Sequence, residues 1–337
     1  MMDLTTSYLD LRLRNPLVAS ASPLSFSLDG VHRLSDAGVG AIVMFSLFEE
    51  QLRQRAVQRA ELLDEPADSF GEALSYFPAT AYDDPGPREY LSLLERAAAT
   101  TPIPVIGSLN GVTPGSWGDY ARQMQDAGAA AIELNMYGVP GDPRILGRQL
   151  EQRHIEVLQH VKDVVTVPVA VKLSPFFSSL AEMAQLLDEA GADALVLFNR
   201  FLQPDIDAEE LAVVPRVTLS SQLEGRLPRM CIALLRGRVR AALAATSGVE
   251  TPEDVAAYLL AGADVVMTAS ALLRHGPEHA AMLLDGLTAW MARKGFQTID
   301  QFRGMLAVPA DTDDEAYERA SYVSAMRAAN AGAYETN

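Results

Sequence analysis

The chain has 337 residues but one cysteine, three lysines and five histidines. Cys231 stands alone and closes no internal disulfide, so a reducing compartment fits. Its apolar helical surroundings, RMCIALLRGR, read as those of a buried structural thiol rather than a nucleophile. The histidines are scattered; His154 and His160 fall on a helical stretch and suit a surface, and no metal site is expected. No GxGxxG follows a strand pattern, and neither GxxxxGKS nor GxxxxGKT occurs, which sets aside Rossmann and P-loop readings. No apolar run approaches the roughly 20 residues that cross a bilayer. The first residues, MMDLTTSYLDLRLRNP, lack a basic flank followed by an apolar stretch, so neither a signal peptide nor a membrane is expected, and the location expected is cytoplasmic. Positive charge is also short: 27 basic against 44 acidic side chains give −17, which argues against nucleic acid or an anionic membrane as partner.

What is present is a repeat. DAGVGAIVMF, DAGAAAIELN, EAGADALVLF and LAGADVVMTA each place Ala-Gly at a helix end before an apolar run. Gly38, Gly128, Gly191 and Gly262 sit where a left-handed helix terminus is needed, and each following run suits a strand buried on both faces. The gaps hold four more strand candidates, giving 15–20, 41–46, 104–109, 131–136, 167–173, 194–199, 241–247 and 264–269. Helical patterns lie between most of them; Ser179 opens one, and Thr251 caps another. Eight strands alternating with helices predict an α/β protein, a single-domain (β/α)₈ TIM barrel. Long insertions follow the second strand (47–84) and the sixth (200–226), positions over the catalytic face where lids, substrate walls or a dimer contact belong. The barrel is expected over 1–310, with 311–337 a helical tail packed on it.

The strand ends carry the chemistry. Lys172 lies inside VPVAVKLSP, near the end of an apolar strand, in a chain whose basic residues are overwhelmingly arginine. A compact ammonium there suits the holding of an anionic intermediate or a Schiff base; the alternative is a snorkelling lysine at the rim. Asn135 and Asn199 close two equivalent repeats, and two amides at one barrel mouth can hold a flat heterocycle or ring carbonyl, where a lone asparagine would be a turn former. Glu133, two residues before Asn135, points the same way and either bonds a ligand or pairs with Lys172. Ser247 and Gly248 after the seventh strand, and Ala269-Ser270-Ala271 after the eighth, are small-residue turns into helices, the place where barrels hold phosphate groups; each is also an ordinary tight turn.

NPLVASAS, ELN, VAVKLSP, LFN, ATSGVET and TASALLRHGP, in that order, resemble the dihydroorotate dehydrogenase family of FMN-containing barrels over nearly the whole chain. SLFEEQL, LFNRFLQPDID and IALLRGRV are similar to a divergent bacterial, dihydroorotate dehydrogenase-like branch. The resemblance implies FMN as cofactor and a small-molecule CH–CH substrate, dihydroorotate by family, within pyrimidine biosynthesis. It also implies an electron acceptor of unspecified identity and a homodimer. It implies that Lys172 lies beside the N1–O2 edge of the flavin, that Asn135 meets the substrate or the flavin edge and Asn199 the substrate, and that Ser247, Gly248, Ala269 and Ser270 cradle the phosphate. Ala19, Ser20 and Ala21 would pass the flavin ring, with Asn110 reaching it after the third strand.

The chain departs from the family at the base. Gly138 stands where a Cys or Ser removes the substrate proton, Pro140 replaces an asparagine, and Phe45 occupies a position at which many relatives carry a lysine near flavin and substrate. Losing a positioned base costs about 10²–10⁴ in rate. Tyr137 is the substitute at hand, although a phenol of pKa near ~10 is a poor base at neutral pH. Three readings therefore stand: an FMN-dependent dehydrogenase, an accessory or non-catalytic flavoprotein that serves a partner, and a Schiff-base aldolase built on Lys172.

Overall fold

A computed structural model describes residues 2–49, 86–111, 117–136, 141–200, 204–214 and 218–330. Eight parallel strands close into a barrel: β3 (Leu17–Ala19), β4 (Ala41–Val43), β6 (Val105–Gly111), β7 (Ala131–Met136), β8 (Val169–Leu173), β9 (Ala194–Leu197), β12 (Ala242–Ala245) and β13 (Val265–Thr268). Pairing runs β4-β3-β13-β12-β9-β8-β7-β6, and β4 pairs β6 to shut the ring. Every strand candidate in the sequence is therefore a barrel strand. Gly38, Gly128, Gly191 and Gly262 all have φ between 92° and 120°, as the repeat requires. β5 (Leu47–Phe48) continues β4 along β6 after a break. Two antiparallel hairpins complete the strands: β1 (Thr6–Tyr8) with β2 (Leu11–Leu13), and β10 (Asp205–Asp207) with β11 (Ala212–Val214).

Helices α1 (Leu28–Asp36), α2 (Pro87–Thr100), α3 (Trp117–Asp126), α4 (Gly147–Lys162), α5 (Leu180–Glu189), α6 (Arg226–Leu235), α7 (Pro252–Ala261), α8 (Ser270–His275) and α9 (His279–Lys294) follow in chain order. Ser179 caps α5 by accepting from Glu182 N, and Thr251 with Asp254 forms a capping box on α7, where Pro252 fills the first turn. Among the described residues no helix is long and apolar enough to cross a membrane.

The core has two layers. The larger lies between strands and helices; the smaller lies inside the barrel. Inside, Ala41, Ala131, Ala170, Ala194 and Ala244 are small enough to leave space, which Tyr8, Leu9 and Leu13 of the first hairpin fill from the N-terminal end of the strands. That end is further tied by Asp264, which accepts from Arg236 at 3.0 Å and Leu243 N at 2.9 Å, and Thr6 donates to Asp264 O. The barrel interior at that end is thus a packed plug, and the chemistry of such barrels belongs to the opposite mouth.

The tail forms a helix, α10 (Asp314–Asn330), but its side chains from Arg319 to Asn330 are exposed save a half-buried Ala329, so this stretch does not pack on the barrel. Its sequence intersperses alanine with polar residues and offers no wide apolar stripe to bury. The insertion 200–226 divides: 205–214 is an exposed hairpin, while 218–220 folds back to line the barrel mouth. Most of the insertion 47–84 lies outside the described residues.

Candidate active site

Strand register builds the site. β6, β7 and β8 align Asn110 with Asn135 and Asn135 with Lys172, so three neighbouring strands present one polar row at their C-terminal ends. One layer deeper, Ser108 aligns with Glu133. Lys172 (6% exposed) reaches Glu133 Oε1 and Ser20 Oγ, each at 3.4 Å. Glu133 is 1% exposed, and its second oxygen has no hydrogen-bond partner among the described residues. The ammonium is therefore neither stranded nor snorkelling: it is a buried ion pair at the floor of the mouth. Below it the Tyr8 hydroxyl also lacks a partner; burial and the nearby Glu133 charge push its pKa well above the usual phenol value.

Above this floor lies a cleft of about 480 Å³, whose walls include Ser20, Ala21, Asn110, Lys172, Phe198 and Asn199. The two asparagines meet: Asn199 Nδ2 donates to Asn135 Oδ1 at 2.7 Å. Each amide keeps hydrogen-bonding capacity for a planar partner. Ala19 ends β3 in the wall beneath, and its successor Ser20 is held by its N–H to Thr268 O at 3.0 Å.

At the far end of the cleft hydroxyls and N–H groups converge. Ser220 Oγ lies 2.9 Å from Ser270 Oγ, Ser220 N donates to Ser270 Oγ at 3.0 Å, and Gly248 N approaches Ser220 Oγ at 3.4 Å. Ala269 and Ser247 also line this end. Gly248 has φ +66°, and an added Cβ would stand 2.6 Å from Gly225 N and 2.8 Å from Ser221 O, so only glycine fits. Ser247 holds φ +80°, unusual for a residue with a side chain, while the Tyr258 hydroxyl donates to its carbonyl at 2.6 Å and to Thr246 O at 3.2 Å. A donor cluster without a carboxylate, set in a slot walled by Phe198, Val249 and Met267, fits a flat ring ending in a phosphate.

Other site candidates fall elsewhere. Phe45 is buried against Phe26 and Tyr90, with ring centroids 4.6 and 4.9 Å away, in the layer between strands and helices. The strand breaks after Val43, and the inward phase slips by one residue. Ser46 bonds Ser108 at 2.8 Å, and Phe48, rather than Phe45, reaches the cleft. Tyr137, Gly138 and Pro140 lie outside the described residues. Cys231 is buried. His154 is half-buried: desolvation lowers its pKa, against a bond from Nδ1–H to Leu150 O at 2.8 Å. His275 and His279, four apart, stack at 4.7 Å, and His275 bonds Glu250 at 2.5 Å; among the described residues no group of three or more His, Cys, Asp or Glu is arranged to hold a metal.

Among the cleft residues that the sequence reading missed, two carry chemistry of their own. Ser220 comes from the long insertion, and no local pattern marks it. Arg200 directly follows Asn199, where the LFN repeat gave a reason to look one residue further. Its Nε donates to Glu224 Oε1 at 2.8 Å, while Glu224 Oε2 accepts from Ser221 N at 2.6 Å. Burial alone would raise Glu224, but these bonds outweigh it and lower its pKa.

The comparisons with known proteins agree with this geometry. The family model described as dihydroorotate dehydrogenase matches residues 4–291. The catalytic subunit of dihydroorotate dehydrogenase B (NAD(+)) from Methanothermobacter thermautotrophicus is 27% identical over 90% of this chain and 98% of that relative. A putative dihydroorotate dehydrogenase A (fumarate) from Aeropyrum pernix is 30% identical over 67% of this chain and 75% of its own length. The NAD-dependent dihydropyrimidine dehydrogenase subunit PreA of Escherichia coli is 23% identical over 94% and 80%. The barrel is that of an enzyme acting on CH–CH groups, and the chain belongs to the dihydroorotate dehydrogenase family.

Proposed function

We propose that the chain is an FMN-dependent dehydrogenase of a small planar carbonyl compound, with dihydroorotate the first candidate. The observation that carries this reading is one cleft holding a buried lysine at its floor, Asn199 bonded to Asn135 at one end and a hydroxyl–amide cradle at the other. FMN, when bound, supplies a hydride acceptor. Ser220, Ser270 and Gly248 N would hold its phosphate, with Ser247 and Ala269 shaping the turn, and Ser20, Ala21, Asn110 and Lys172 would face its ring. Lys172, paired with Glu133, offsets negative charge that accumulates at the ring edge above it. Asn135 and Asn199 orient a ring amide or carbonyl, and Phe48 and Phe198 keep water from the reacting face. Oxidation of the CH–CH unit also releases a proton, for which Gly138 has no side chain and Tyr137 is the neighbouring acceptor.

The visible absorption spectrum of the protein as purified, followed by anaerobic titration with dihydroorotate, tests this. A flavin spectrum bleached by dihydroorotate is expected. A colourless protein that takes up no FMN would end the reading, and a flavin left unbleached would reject the substrate alone.

A second reading has its own support. The base position is a glycine, and two of the relatives are named as subunits, one catalytic. In that reading the chain is a flavin subunit working with an electron-transfer partner. Bleaching that appears only when the partner is added would favour it. The Schiff-base alternative draws nothing from the cleft beyond Lys172, which lies against Glu133.

A further inference from the structure

Arg200 is the second cation of the cleft and differs from the first in every respect that matters for a ligand. Lys172 is buried and spends its charge on Glu133. Arg200 sits at the rim, with its side chain 32% exposed, and lines the same cleft immediately beside Asn199. It is anchored through one nitrogen: Nε donates to Glu224 Oε1, and the two terminal nitrogens have no partner among the described residues. Glu224 is fixed in turn by Ser221, so the guanidinium is aimed rather than swinging. Its outer edge carries paired N–H groups in the fork that matches a carboxylate. No carboxylate side chain lines the cleft among the described residues, so nothing there competes for that edge. Nor does Arg200 bond Ser220, Ser270 or Gly248, which satisfy one another and form the separate cradle.

We propose that Arg200 is a specificity-determining residue that receives the carboxylate of a small, planar, anionic substrate, the asparagine pair taking the ring's amide edge. This rests on the reading of the cleft as an oxidoreductase site and adds to it the charge of the substrate. A ring lying between Phe48 and Phe198 with its amide edge on Asn199 has its next substituent beside the adjoining residue, Arg200. A ring without the charge would leave the guanidinium without its partner and bind more weakly.

The test is calorimetric titration of the purified protein with orotate and with uracil, a carboxylated and an uncarboxylated ring of the same size. FMN content is determined in the same samples, and wild type is compared with Arg200→Gln and Arg200→Lys. Orotate is expected to bind about tenfold to a hundredfold more tightly than uracil, the range of a charge-assisted hydrogen bond. The ratio should fall to near one in Arg200→Gln and recover in part in Arg200→Lys, with FMN content unchanged. An unchanged ratio in Arg200→Gln overturns the proposal, as does wild-type protein that binds neither ring. Loss of FMN from Arg200→Gln with the ratio intact also overturns it, assigning the guanidinium to the cofactor's phosphate. A flavin-free protein that still shows the Arg200-dependent preference would uphold the proposal while refuting the flavin reading.

Discussion

The Lys172–Glu133 pair makes the most demanding prediction about how the site is held. The ammonium lies 3.4 Å from Glu133 Oε1, and both side chains are buried. At an effective dielectric of about 20 their attraction is about 5 kcal/mol, most of it offset by the water both groups give up. Removing one partner forfeits the attraction and keeps the other's desolvation, so each single substitution should cost about 3–5 kcal/mol. Lys172→Met should be the worse, because Glu133 already has one oxygen without a partner and would lose the other's. The double variant, Lys172→Met with Glu133→Gln, leaves no buried charge and should recover about 2 kcal/mol or more relative to the sum of the singles. Guanidinium denaturation of all four proteins, with flavin content measured in each, gives the cycle directly. Singles that each cost less than about 1 kcal/mol and add within about 0.5 kcal/mol would refute a shared buried site.

Three further outcomes follow from other parts of the cleft and its supports. Gly248→Ala must displace backbone at Gly225 and Ser221, and should lower FMN affinity by more than about tenfold in a fluorescence titration while the far-ultraviolet spectrum stays unchanged. Tyr258→Phe removes two bonds to the Thr246 and Ser247 carbonyls and should cost about 1–2 kcal/mol in denaturation, whereas Tyr8→Phe, whose hydroxyl has no partner, should change stability by less than about 1 kcal/mol. His154 has a folded pKa below its ordinary 6.5, so the unfolded chain binds the proton more readily. Its contribution is full above about pH 6.5 and is lost as pH falls toward the lowered value, and His154→Gln should flatten the pH dependence of stability over that window.

The barrel was legible because its information is local and repeated. A glycine at the end of each α/β repeat and an apolar run behind it locate strands without reference to anything distant, and Thr251, Pro252 and Asp254 spell a helix start within four residues. Lys172, Asn135 and Asn199 were legible for the same reason: each is a polar residue at the end of an apolar strand. What the chain hides is whatever depends on phase or on distance. The β1–β2 hairpin has three-residue strands, too short for any period to show, yet it plugs the barrel floor. The break after Val43 shifts the inward face by one residue and puts Phe48 where Phe45 was expected. Ser220 joins Ser270 across 50 residues, and Arg200 acts through Glu224 of the same insertion, pairings that only the closed barrel brings about.

In the proposed function one end of this cleft grips a phosphate and the other faces a flat redox ring. Titration of flavin-depleted protein with FMN and with riboflavin, which shares the ring and lacks the phosphate, measures that claim most directly. FMN should bind at least about 100-fold more tightly, with the preference lost when Ser220 and Ser270 are both replaced by alanine. Equal affinity for the two flavins, or no affinity for either, would contradict it.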